Sequence, residues 1–119
     1  MDATAGWDFA ERWCAAWNGK DIDAIMALYA AEVSFNSPSV VTRWNLPDGW
    51  IHGKDRLRAN FEKGLQTPGM QFEVVNVLTG LRSVAILYAR ETGALALDLV
   101  ELDDAGLISR VVACYGQPR

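Results

Sequence analysis

The feature that most limits what this chain can fold into is a change of hydrophobic period near residue 70. Before it, apolar residues recur at helical spacing; after it, they alternate one by one. WDFAERWCAAW, residues 7 to 17, places Trp7 or Phe9, Ala10, Trp13, Cys14 and Trp17 on one face and predicts an amphipathic first helix. Asn18, Gly19 and Lys20 interrupt it. Asp21 can then cap a second helix whose apolar side carries Ile22, Ile25, Met26 and Tyr29. EVSFNSP puts Val33, Phe35 and Ser37 on one strand face until Pro38 ends the run. VVTRWNLPDGWIHG reads as a long loop, and KDRLRANFEKGL as a third helix bearing Leu57, Phe61 and Leu65.

From residue 70 onward, MQFEVVNVL, SVAILYARE, ALALDLVELD and LISRVVACYG read as four strands joined by TGLR, TG and DDAG turns. Three helices ahead of an antiparallel meander predict an α+β fold with the helices on one face of a curved sheet. With 119 residues, half of them hydrophobic, and no repeat or linker, residues 1–119 are expected to form one domain around one core.

Charge removes several function classes. The formal net charge is -4 and no Lys/Arg run is present, which argues against nucleic acid and anionic membrane surfaces as partners. The first residues, MDATAGWDFAERW, hold acidic groups and no long apolar stretch, so neither a secretory signal nor a membrane span is expected, and a cytoplasmic location follows. Cys14 and Cys114 lack metal-site spacing and read as reduced core residues, with no cofactor or metal motif elsewhere.

One residue breaks the strand pattern. Asp98 stands in LALDLVELD among Leu95, Ala96, Leu97, Leu99 and Val100, where a charge is costly unless it is paired, hydrogen-bonded or neutralised. Alternation sets Ala94, Ala96, Asp98, Val100 and Leu102 on one face and Leu95, Leu97, Leu99 and Glu101 on the other. Both faces are largely apolar, which predicts helices or a cavity against one and a second copy of the sheet against the other. The alanines beside Asp98 leave volume on its face that suits a cavity.

AERWCAAWNGKDIDAIMALYAAEVSFNSP, then GWIHGKDRLRANFEKGL, then four strands with a late DDAGLI turn, resembles the nuclear-transport-factor-2-like superfamily, particularly its SnoaL-like and ketosteroid-isomerase-like members. The most specific parts are the WNGKDIDAIMALYA junction, the strand ending Ser37-Pro38, and Ile51-x-Gly53 ahead of the third helix. The resemblance covers nearly the whole chain. It implies a cone in which helices and curved sheet enclose a mostly apolar pocket, and a homodimer through the outer sheet face. It sets Asp98 where ketosteroid isomerases keep a protonated oxyanion-hole Asp. It also sets Trp13 where the partner Tyr would be, and Ser37 where the general-base Asp would be. An indole N–H lacks practical acidity and an unactivated Ser is a poor base, so steroid isomerisation by that mechanism is disfavoured. Similar polyketide cyclases work with one Asp on the equivalent strand.

The candidate catalytic residues are therefore Asp98 and the chain's one histidine, His52. Asp98 is either an acid/base or ligand-orienting group, or a structural carboxylate bonded to Trp13 or Tyr115. His52 is either a general base at the pocket mouth or a loop imidazole. Arg90, on a strand near a turn, is either a neutralising partner for a carboxylate or a solvated side chain. Trp13, Trp17, Ser37, Phe61, Val111 and Tyr115 are expected to line the pocket, with Trp44 and Trp50 on a lid running from Val40 to Gly53. Two function classes remain. One is a cofactor-independent isomerase, cyclase, dehydratase or hydrolase acting on an apolar small molecule. The other is a non-catalytic ligand-binding or dimerisation module of the same fold.

Overall fold

Asp2 starts the first helix, its carboxylate accepting a hydrogen bond from the Ala5 N–H at 2.8 Å, which satisfies one of the unpaired donors of the first turn. The computed structural model describes residues 1–116. Helix α1 spans Ala3–Asn18 and buries Phe9, Ala10, Trp13 and Trp17 along the predicted stripe. It stops where Lys20 takes a left-handed φ of 56°. Asp21 caps α2 (Ile22–Met26) through bonds from the Asp23 and Ala24 N–H groups. The remaining elements are β1 (Tyr29–Asn36), α3 (Pro38–Trp44), β2 (Trp50–His52), α4 (Lys54–Gly64), β3 (Glu73–Thr79), β4 (Ser83–Ala89), β5 (Leu95–Leu102) and β6 (Ile108–Tyr115). No helix among the described residues is long and apolar enough to cross a membrane.

The strands form one sheet in the order β2-β1-β6-β5-β4-β3. Neighbours run antiparallel except β1 and β6, which are parallel and bring Phe35 opposite Val111. The helices cover one side: α1 lies on β3 and β4, α3 on β6, and α4 on β1 and β2. The result is the α+β cone expected from the sequence, an open curved sheet with its helices on the concave face. Strand β5 alternates as read, with Ala96, Asp98 and Val100 buried while Leu95 and Leu99 remain 47% and 40% exposed on the outer face.

The structure departs from the sequence reading in four places. There are four helices among the described residues rather than three, because Ser37 and Pro38 start α3 instead of ending a strand into a loop. Ser37 Oγ accepts from the Ser39 N–H at 3.2 Å and Pro38 occupies the first turn, where its missing N–H is harmless. The expected loop from Val40 to Gly53 is consequently divided between α3 and the short strand β2, which pairs with β1 through Phe35 and Ile51. Tyr29 opens β1 rather than closing α2, and is 1% exposed. Cys114 is exposed rather than buried, because it lies opposite the outer-face residue Leu97.

Gly6 shows how closely α1 approaches the sheet. A Cβ built there would collide with Thr79 Cγ2 on β3. Gly6→Ala is expected to lower stability by about 1–3 kcal/mol through overpacking, measured by denaturant unfolding. Thr79→Ser removes the obstructing methyl and should restore most of that loss in the double variant. Equal losses with and without Thr79→Ser would show that the contact is not the cause.

Candidate functional site

Between α1, α4 and the concave face of the sheet lies a cavity of about 250 Å³, just below the usual range for pockets that bury drug-sized ligands. Aromatic rings form most of its apolar wall. Trp13 stacks on Phe72 at 5.6 Å and meets the edge of Tyr88 at 5.0 Å, while Trp17 meets Phe61 at 4.7 Å. Phe35, Met70 and Ala113 complete that wall. Its polar lining comprises Asp98, Tyr88, Tyr115, Ser39, Thr67, Asn60, Arg43 and Arg90. Asp98 and Asn60 are buried, whereas Ser39, Arg43, Thr67 and Arg90 are half-buried and mark the side nearest solvent.

Asp98 reaches the cavity because β5 alternation turns it inward, between Ile86 on β4 and Ala113 on β6. Its small neighbours Ala96 and Ala113 leave its carboxyl unobstructed. The Tyr88 hydroxyl donates to Asp98 Oδ1 at 3.4 Å, longer than a strong O–H···O bond. Burial pushes the Asp98 carboxyl up to about 7, against the weaker opposing pull of the Tyr88 bond and the Arg90 charge. Burial, followed by the charge of Asp98, pushes the Tyr88 phenol up, so it remains a donor. The indole Nε1 atoms of Trp13 and Trp17 are buried without a hydrogen bond of ordinary geometry, and both turn toward the hydroxyl of the buried Tyr29 rather than into the cavity.

Five of the ten residues singled out from the sequence line this cavity: Asp98, Trp13, Trp17, Phe61 and Tyr115. The other five do not. His52 is exposed on the outer sheet face, its Nδ1 3.0 Å from Ser34 Oγ, because its neighbour Ile51 takes the inward position beside Phe35. Trp50, two residues earlier on the same face, stacks on His52 at 6.0 Å and lies under the Arg110 guanidinium. Trp44 stands behind the wall, donating through Nε1 to Asn60 Oδ1 at 3.0 Å. Ser37 is occupied as the cap of α3, with its Oγ 2.8 Å from Ser39 Oγ and 3.1 Å from the Tyr115 hydroxyl. Val111 is packed into the core.

Sequence reasoning missed Asn60, Arg43 and the inward side of Arg90. Asn60 shares a helical face with Leu57 and Phe61, so it carried the same signal as Asp98: a polar group in an apolar stripe. Its Oδ1 accepts from both Trp44 Nε1 and Arg43 Nη1, the latter at 2.9 Å, and this pins α3 to α4. No spacing rule pointed to Arg43, whose position depends on the unforeseen helix α3.

Residues 10–114 match the family model described as a SnoaL-like domain. No curated protein matches the chain. Among solved structures, a SnoaL-like protein of unknown function from Burkholderia thailandensis is 30% identical, with a TM-score of 0.93 and 98% of each chain covered. A candidate ketosteroid isomerase from Kribbella flavida is 24% identical over 96% of this chain and 79% of its own, with a TM-score of 0.72. The epoxide hydrolase/cyclase-like enzyme SalBIII, of pyran ring formation in the polyether salinomycin, is 18% identical over 98% and 94%, with a TM-score of 0.76. At that identity the likeness is one of fold.

The raised Asp98 value fixes a sign for stability against pH. Below the ordinary aspartate range near pH ~4, both folded and unfolded chains hold the proton. Between there and about 7 the folded chain keeps a proton that the unfolded chain has lost. Stability from this group therefore declines as pH rises through that window, by up to about 1.4 kcal/mol per pH unit, and levels off above it. The difference in unfolding free energy between wild type and Asp98→Asn, measured by urea titration at several pH values, should carry that slope. A flat difference, or one of opposite sign, would refute the raised value.

Proposed function

This chain belongs to the SnoaL-like family, and on that premise we propose that it binds a small, largely apolar molecule in the cone cavity and moves a proton on it with Asp98, without a cofactor. The observation that carries this reading is a buried carboxyl in the wall of an aromatic cavity, held near neutrality by desolvation and only weakly bonded to Tyr88. A carboxyl with that setting exists in both forms at working pH. As the neutral acid it donates to a ligand oxygen. As the carboxylate it removes an acidic C–H or O–H proton, and the Tyr88 hydroxyl offers a donor for the oxygen on which charge develops.

Asp98 is the one carboxylate among the residues lining the cavity. Chemistry that passes a proton between two carboxylates is thereby disfavoured, and Ser37, capping α3, supplies no base. Reactions that one group can serve in turn as acid and base fit best: an isomerisation through an enol, or an acid-assisted cyclisation. The names carried by the Kribbella protein and by SalBIII, isomerase and cyclase, support this direction. His52, on the far side of the sheet, has no part in the scheme.

The test is hydrogen exchange. Incubated in D2O with a panel of apolar ketones, the protein should catalyse loss of the α-proton signal in NMR spectra. Asp98→Asn should slow that exchange by about 10²–10⁴-fold while leaving the fold intact. An unchanged rate in the variant, or no exchange with wild type on any member, would end the acid/base reading and favour the non-catalytic ligand-binding module.

The proposal includes a homodimer through the outer sheet face. Register places Ala85, Leu87, Leu97, Leu99, Val112 and Cys114 side by side there, and Leu78 on the edge strand β3 is 58% exposed. A contiguous apolar surface of this kind is uncommon on a monomer. Sedimentation equilibrium should give twice the chain mass at micromolar concentration, and Leu97→Glu should halve it. A monomeric wild type would exclude the dimer and leave the cavity chemistry untouched.

A further inference from the structure

The cavity holds two guanidinium groups that the proton-transfer scheme does not use. Arg90 directly follows β4, and its guanidinium lies over the Phe72 ring at 5.4 Å, at the cavity wall. Its Nε is buried and has no hydrogen-bond partner among the described residues. Glu91 Oε1 forms a long ion pair with that nitrogen at 3.7 Å, beyond hydrogen-bond reach. Arg43 enters from α3. Its Nη1 donates to the Asn60 carbonyl at 3.2 Å and to Asn60 Oδ1 at 2.9 Å, both neutral acceptors that hold the side chain without cancelling its charge. Among the described residues no carboxylate lies within ion-pair distance of it.

An acidic chain has thus gathered two positive side chains around one cavity, leaving Arg43 without an ion pair among the described residues and Arg90 with one long pair to Glu91 that makes no hydrogen bond. The one carboxyl inside, Asp98, forms no ion pair with either. Partly desolvated guanidinium groups are unfavourable without an anion, and their planar forks suit a carboxylate well. The walls opposite are aromatic: Trp13, Trp17, Phe35, Phe61 and Phe72. We infer that the cavity's ligand is a small aromatic or alicyclic carboxylic acid whose carboxylate is anchored by Arg43 and Arg90 while its apolar body lies among these rings toward Asp98. The inference rests on the reading of the cavity as a ligand site and adds the charge of what enters it. Anchoring one end of the molecule at the half-buried arginines sets which of its carbons faces the acid/base group. Arg43 and Arg90 are thereby positioning residues.

Calorimetric titration can separate this inference from the reading beneath it. The probes are phenylacetate, trans-cinnamate and 2-naphthoate, each beside its uncharged primary amide, with inorganic phosphate alone as the anion lacking a ring. At least one acid should bind about tenfold or more tightly than its amide, the preference expected of a charge-assisted bond. Phosphate should bind more weakly than that acid. Arg90→Gln and Arg43→Gln should each weaken the acid more than its amide, so that the acid-to-amide ratio falls toward one. Arg90→Lys, which keeps the charge and loses the fork, should retain part of it. Equal binding of acid and amide in wild type, with both arginine variants silent, would overturn the anionic anchor and leave the apolar cavity reading standing. Phosphate binding as tightly as every acid would overturn the carboxylic-acid class. Absence of binding by every probe would overturn the anchor and the ligand site together.

Discussion

The structure depends on a cluster of rings that joins the helices to the sheet. Trp13 and Trp17 project from α1, Phe61 from α4, Phe35 from β1, and Tyr88 from β4, with Phe72 wedged among them at 4.7 Å from Tyr88. Edge-to-face and tilted contacts of this kind keep rings apart by their own thickness. The rings line one side of the cavity, and the small residue Ala113 beside Asp98 lines the other. The rings thus hold the fold together and wall the site. Removing one would enlarge the void and weaken the attachment of a helix at once.

That double role explains why the fold was so legible. The stripe of α1 and the alternation of β5 are dictated by which side chains must meet the rings, and both are periodic enough to read directly from the residues. Legibility failed where an element is too short to show a period. Helix α3 has seven residues and β2 has three. The first is set by a cap and a proline, which locally resemble the end of a strand, and the second by pairing with Phe35 of β1, a tertiary partner. Tyr29 was placed on a helix because its spacing from Ile25 fits one, yet the chain turns at Ala27 and Leu28 before reaching it.

The site was readable to the extent that its residues sit on long elements. Trp13, Trp17, Phe61, Asp98 and Tyr115 ride on α1, α4, β5 and β6, where periodicity reports the inward face. Trp44, Trp50, Ser37 and His52 lie between Ser37 and His52, where no period was available to say which way a side chain points. One residue of offset in β2 decides the matter: Ile51 turns in, so Trp50 and His52 turn out. Val111 faces inward as read, but meets packed side chains rather than the void. Asn60 and Asp98 are the same kind of anomaly, a polar group where an apolar one would pack, and weighing all such anomalies alike would have found both.

The parallel pairing of β1 with β6 carries a consequence for how the chain assembles. Strand β6 stands between the β2-β1 pair and the β5-β4-β3 meander, and is the bridge across which the sheet becomes continuous. Among the described strands it is also the last in chain order. Without β6, β1 would present an unpaired edge and its buried Phe35 would lack its partner Val111. Helices and the later hairpins can form locally, while the joining step waits on a contact between distant parts of the chain, the slowest kind to make. The β1–β6 pairing is thus the strand contact of greatest sequence separation that the sheet requires, and the two half-sheets become one only when it forms.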